Sequence, residues 1–309
     1  MNMTLQNKFD LAKKKLDGGN LDDGFLAKNG TLYHAYHTNK EWESYRDEME
    51  RDYSSAYYEY KEGDGGELFE KRYPPKMASY GSSSRFIFEL SKDIPGFHFE
   101  KKLGICVPAR NEKQEAEASL DGYLEEKEIY VEAKCREIYA ENHPEFNIKY
   151  QEYYDYLTAR TEGRFNYQLK ESINKKGAIT QKVYFSWDNE PLTHFDFKQI
   201  LCHLLGIVKK ALLDKGAQTP TLLYLVYKPS ERHLDLVESN KDAEDIRNCW
   251  ETEKKVATTV DMYLIYNCVV HYLYEKKGIG KTLPLVEIER ISQSFNFRFC
   301  DQNNYLSFL

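Results

Sequence analysis

The pattern of apolar positions divides the chain into stretches of helical and of strand period. Trp42, Tyr45, Met49, Tyr53, Ala56, Tyr57 and Tyr60 recur every three or four residues, and Thr38 with Glu41 makes a capping box, so a helix is predicted there until KEGDGG (61–66) stops it. Such an aromatic stripe packs on a core. After YPPK (73–76), SSSRFIFELSKDIPG offers serine caps, a short helix from Arg85 to Lys92 and a stop at Pro95-Gly96. FHFEKKLGICV (97–107) alternates as a strand, and EAEASLDGYLEE with KEIYVEAKC reads as two strands around an acidic turn. A segment from Glu137 to about Asn189 interrupts this order, with Tyr150, Tyr153, Tyr154 and Leu157 marking an amphipathic helix. From His194, HFDFKQILCHLLGIVKKALLDKG is a buried helix ending at Gly216. TLLYLVYKP (221–229) is an apolar strand of the kind covered on both faces, and a charged helix follows from about Lys241 to Lys255. MYLIYNCVVHYLY (262–274) fits helix or strand equally. The order predicts a mixed sheet with helices on both faces.

Composition adds bounds. With 309 residues, 41% apolar and 30% charged, the chain can bury a sizeable core and is not intrinsically disordered. No apolar run resembles a signal peptide or spans a bilayer, so a cytoplasmic protein is expected, and the six cysteines, without a CxxC pair, signal neither zinc nor disulfides. The 43 basic residues against 50 acidic ones give a net charge of −7, which argues against a surface that grips nucleic acid everywhere. The charge is segregated, however: Arg164 to Lys182 holds five basic residues against one acidic.

The acidic hairpin is where chemistry enters. With its turn centred between Glu126 and Lys127, Asp121 stands opposite Glu132, and alternation brings Lys134 to the same face. Two opposed carboxylates repel unless a cation lies between them, and Mg²⁺ (or Mn²⁺), which takes one or two carboxylates with waters and phosphate, is such a cation. The Ala133 carbonyl could add a ligand, and Lys134 could stabilise charge on a phosphorane or orient an attacking water. Taken alone, the same residues also fit a salt-bridged surface hairpin.

LDGYL followed by VEAK, with a helix before the strands and a helix and buried strand after them, resembles the PD-(D/E)xK nuclease superfamily over about residues 83–230. The proline that precedes the Asp in that family is replaced by Leu120. The resemblance implies an α/β, restriction-endonuclease-like three-layer α/β/α core with a mixed central sheet. A helical N-terminal extension (1–76) would precede a nuclease-like domain (77–309) carrying a helical insertion at about 137–192. It further implies a Mg²⁺-dependent nuclease acting on DNA, with Asp121 and Glu132 holding the metal. Glu89 on the first core helix would be a further acid, Glu100 a substitute for it, and Gln199 a polar contributor. His203 receives no role. The basic, tyrosine-rich insertion would lie over the cleft, with Arg164, Lys170, Lys175 and Lys176 meeting phosphates. A non-catalytic nucleic-acid or protein-binding module on the same fold is the alternative, and the oligomeric state is left open, a homodimer included. GIGKT (278–282) is not a phosphate loop, because Glu275 stands where the pattern needs glycine.

Overall fold

The computed structural model describes residues 3–63, 66–68, 74–108, 114–141, 143–173 and 177–309. The N-terminal segment folds as α1 (Leu5–Leu16), the short strands β1 (Phe25–Leu26) and β2 (Leu32–Tyr33), α2 (Asn39–Asp52) and α3 (Ser54–Glu62). The single helix expected here is two. Thr38 and Glu41 close the capping box, but Tyr53, at φ −133° and ψ 48°, leaves helical geometry and restarts the chain as α3.

Next come α4 (Ser83–Ser91), β3 (Phe97–Pro108), β4 (Glu115–Leu124) and β5 (Ile129–Lys134). Then follow α5 (Gln151–Arg160), β6 (Phe165–Ile173), β7 (Ile179–Trp187), β8 (Glu190–Pro191), α6 (Phe197–Leu213) and β9 (Thr221–Val226). The chain ends with α7 (Glu231–Asp235), α8 (Asn240–Thr259), α9 (Met262–Tyr272), α10 (Leu285–Ser292) and β10 (Asn296–Cys300). The ambiguous stretch at 262–274 is helical because Asp261 caps it, accepting a hydrogen bond from the Leu264 N–H.

Five strands form the central sheet in the order β10-β9-β5-β4-β3. β3, β4 and β5 are antiparallel neighbours, whereas β9 runs parallel to β5 and β10 parallel to β9. The inner strands β5 and β9 are buried along nearly their whole length, as their unbroken apolar runs require. Two clusters cover the sheet. On one face Phe88 of α4 and Trp42, Tyr57 and Tyr60 of α2 and α3 pack on Phe99, Val131 and Leu223. On the other, Leu204 and Val208 of α6 and Val269 of α9 pack with Leu120, Tyr130 and Leu222. Each fully buried Leu or Val contributes about 1.5–3 kcal/mol through lost hydration. Trp42, Tyr57 and Tyr60 thus belong to the same apolar cluster as the sheet residues they cover.

The insertion is not mainly helical, as the sequence suggested. Among its described residues only α5 is a helix of any length; β6 and β7 then pair from Phe165↔Trp187 to Ile173↔Ile179, and β8 extends this sheet. Val183, Phe185 and Trp187 alternate into the core at strand period, a short signal that follows the polar and basic run up to Lys182. All six cysteines are free thiols, three buried and three half-buried. Among the described residues no helix is long and apolar enough to cross a membrane.

Candidate active site

The site forms where the sheet comes apart locally. The β4–β5 ladder pairs Leu124↔Ile129, Tyr123↔Tyr130 and Gly122↔Val131, the register expected from the hairpin, and ends there. Its next rung would be Asp121 and Glu132. Instead the Ala133 N–H donates to Asp121 Oδ2 at 2.8 Å. On the other side of β4 the ladder to β3 skips Glu100, which sits at φ 53°, a left-handed conformation that costs a non-glycine residue about 1 kcal/mol or more. At this level both strands exchange faces. Phe99 and Leu124 belong to the cluster under α4, Leu103 and Leu120 to the one under α6. Gly122 makes the pucker sterically feasible, since a Cβ there would lie 2.3 Å from the Phe97 ring. A cavity of about 520 Å³ opens at the pucker, lined by Asp121, Glu132, Ala133, Lys134 and Gln199 among others.

Glu132 is a carboxylate in the middle of a buried strand and has to be compensated. Lys134 Nζ lies 2.7 Å from its Oε1 and His203 Nε2 lies 2.8 Å from its Oε2. Burial alone would raise the Glu132 pKa, but Lys134 and then His203 outweigh it and hold the group below its ordinary value. Lys134 also donates to Gln199 Oε1 at 2.6 Å, and Asp196 Oδ2 stands 3.9 Å away. Burial works against its charge, yet Glu132, Asp196 and Glu137 raise the ammonium well above the usual lysine value. Asp121 keeps part of its surface open to the cavity. Burial first, and the charge of Glu132 second, push its carboxyl well above the ordinary range, against the pull of Lys134 and the Ala133 N–H. The three groups of the hairpin thus meet, and Asp121 is the one left without a full counter-charge.

His203 had no role in the sequence reading. Its signal lay in helix spacing: Asp196 caps α6 by accepting from the Gln199 N–H at 3.2 Å, and His203 follows Gln199 by four residues, one turn along the same face. His203 is a positioning residue, since it orients Glu132 and does not line the cavity.

Other predicted residues stand elsewhere. Glu89 is exposed, pairs with Lys92 at 2.7 Å and does not line this cavity. It follows Ser84, which does, by five residues, about 140° around the helix. The additional acids that line the cavity are Glu100, Glu67 and Glu137, the last accepting from the Cys135 N–H at 2.8 Å and from Ser83 Oγ at 3.2 Å. Burial, then the Glu67 charge, raises Glu100 to about 7, while Ser119 Oγ donates to its Oε2 at 3.3 Å. Glu67 pairs with Lys76 at 2.7 Å through Oε1, and its buried Oε2 has no hydrogen-bond partner among the described residues. Arg164 and Lys170 do not reach this cavity either: Arg164 pairs with Asp188 at 3.0 Å, and Lys170 lies 4.4 Å from the Tyr184 ring centre. Lys175 and Lys176 lie outside the described residues.

Behind the site, Tyr224 is the β9 neighbour of Glu132 and donates its hydroxyl to Glu253 Oε1 of α8. Glu253 is fully buried, its Oε2 has no hydrogen-bond partner among the described residues, and burial raises its pKa to about 7 although the Tyr224 hydroxyl lowers it. Between pH 4.5 and 7 the unfolded chain ionises this group while the folded one retains its proton. Stability therefore falls as pH rises through that window, by about 3 kcal/mol in all, and is flat above it. Glu253→Gln is expected to remove this component. The stability difference between variant and wild type, from urea melts at pH 4.5 and 7.5, should shift by that amount in favour of the variant, and parallel profiles would contradict it.

Among the described residues no group of three or more His, Cys, Asp or Glu side chains is arranged to hold a metal ion. No protein-family model, no curated protein and no solved structure matches the chain.

Proposed function

We propose that the protein is a divalent-metal-dependent nuclease of PD-(D/E)xK type, hydrolysing phosphodiester bonds of nucleic acid, with DNA the expected substrate. The observation that carries this reading is the juxtaposition of Asp121, Glu132 and Lys134 around one open cavity, with Asp121 short of positive charge. The order α4, β3-β4-β5, α6, β9, with the acid on the second strand and ExK on the third, supports it from the side of topology.

The residues fit a hard dication. Two carboxylates are the protein share that Mg²⁺ commonly takes beside water and substrate oxygens, so a third acid is not required. The Ala133 carbonyl leaves the strand on the same edge as its N–H, which is bonded to Asp121. Asp121, Glu132 and that carbonyl would hold the ion. When bound, Mg²⁺ supplies Lewis-acid polarisation of a phosphoryl oxygen and a water of lowered pKa.

The remaining work falls to the chain. Lys134, fixed between Glu132 and Gln199, stays protonated, so it acts as a cation that stabilises charge developing on the phosphorus centre and not as a base. His203 keeps Glu132 oriented from behind. Across the cavity Ser82, Ser83, Lys76 and Arg136 offer hydroxyl and cationic contacts to the flanking phosphates. The test is cleavage of plasmid and single-stranded DNA by purified protein in Mg²⁺ or Mn²⁺. Cleavage that EDTA stops is expected, and its absence with both metals and both substrates would refute the proposal.

One observation favours the non-catalytic alternative: Glu132 already has Lys134 and His203 as partners. A binding module predicts nucleic-acid binding without any metal uptake dependent on Asp121.

A further inference from the structure

A second groove, of about 630 Å³, lies at the far edge of the sheet between the C-terminal half of α8, the start of α9 and β10. β10 is an edge strand, so this groove is away from the hairpin that carries Asp121 and Glu132. Four cations line it, Arg164, Lys228, Lys254 and Arg298, in a chain whose net charge is −7. Lys228 Nζ lies 4.6 Å and Lys254 Nζ 5.4 Å from the centre of the same Trp250 ring, which holds the two ammonium groups no more than about 10 Å apart.

Among the described residues neither ammonium group has a carboxylate or hydrogen-bond partner. Lys8, Lys76, Lys92, Lys209, Lys210 and Lys277 are all ion-paired. The two acids of the groove are occupied, Asp261 by Arg164 at 3.6 Å and the cap of α9, Asp301 by the Asn303 N–H at 2.9 Å. The C-terminus of α8 and the N-terminus of α9 meet here, so their dipoles offset one another and the cations dominate. Beside them Tyr263 is 47% exposed, an aromatic face open to solvent, with its hydroxyl accepting from Arg298 at 3.1 Å.

We propose that this groove binds a nucleotide unit, its phosphate between Lys228 and Lys254 and its base against Tyr263. Unpaired like charges held over one indole gain a counter-charge from the phosphate, and an aromatic platform beside them accepts a base of any sequence. The proposal does not depend on the metal-site reading, and it applies to a free nucleotide and to one residue of a single strand alike.

The test is fluorescence anisotropy of a labelled single-stranded 12-mer in EDTA, with AMP and inorganic phosphate as competitors. Wild type should bind more weakly as salt rises, and Lys228→Glu/Lys254→Glu should weaken binding at least tenfold while its melting temperature stays within a few degrees. Lys228→Gln/Lys254→Gln gives a milder loss of the same sign, and Lys40→Gln, an exposed change on α2 outside both cavities, none. AMP competing better than inorganic phosphate, with that advantage lost in Tyr263→Ala, supports the base contact; competition at the concentration of the 12-mer identifies a free nucleotide, and competition only in large excess a strand. No binding of the 12-mer, a double charge reversal without effect, or phosphate competing as well as AMP would overturn the proposal.

Discussion

Lys134→Met is expected to lower metal-dependent cleavage by about 100- to 1,000-fold, the loss typical when one fixed electrostatic stabiliser of a transition state is removed. Its structural cost should be visible too. Lys134 and Glu132 form a buried pair, and removing Lys134 leaves the Glu132 carboxylate with only the His203 contact, at a cost of about 3 kcal/mol. Methionine retains most of the lysine stem, and Glu132→Gln in the same chain removes the stranded carboxylate. The double variant should regain stability in urea melts without regaining activity. If it folds like wild type and still cleaves DNA at the wild-type rate, Lys134 has no part in the chemistry.

Asp121→Asn should stabilise the metal-free protein while abolishing its response to metal. The wild-type carboxyl is raised by burial and by Glu132, so its proton is held in the folded chain after the unfolded chain has lost it. Stability therefore declines as pH rises above the ordinary carboxyl range, and an amide does not share that decline. Asparagine can still accept the Ala133 N–H. At pH 8 without metal the variant is expected to be the more stable of the two in urea melts. Millimolar Mg²⁺ or Mn²⁺ should raise the melting temperature of the wild type and leave that of the variant unchanged. A variant destabilised in EDTA, or stabilised by metal as much as wild type, would show that Asp121 is a structural acid.

The hairpin was legible because its information is local. Apolar Ile129, Val131 and Ala133 fixed the alternation, and the acidic turn fixed the register that pairs Gly122 with Val131. Gln199 was found from its position on the helix after the insertion, and its side chain meets Lys134. What the sequence hid is tertiary. Glu100, named only as a substitute for Glu89, reaches the cavity through its left-handed kink, and Glu67 lines it without any periodic signature. Glu89 lay on the right helix but the wrong side of it. The β6–β7 hairpin has a weak signature because its alternation is confined to Val183, Phe185 and Trp187 and follows the polar, basic run up to Lys182. His203 could have been found from its one-turn spacing after Gln199.

The most direct test of the central claim is anomalous diffraction from crystals grown in Mn²⁺. A single strong peak beside the Asp121 and Glu132 carboxylates, the residues that would hold the ion, is expected. A site free of anomalous density at saturating Mn²⁺, with Glu132 still paired to Lys134 and His203, would contradict it.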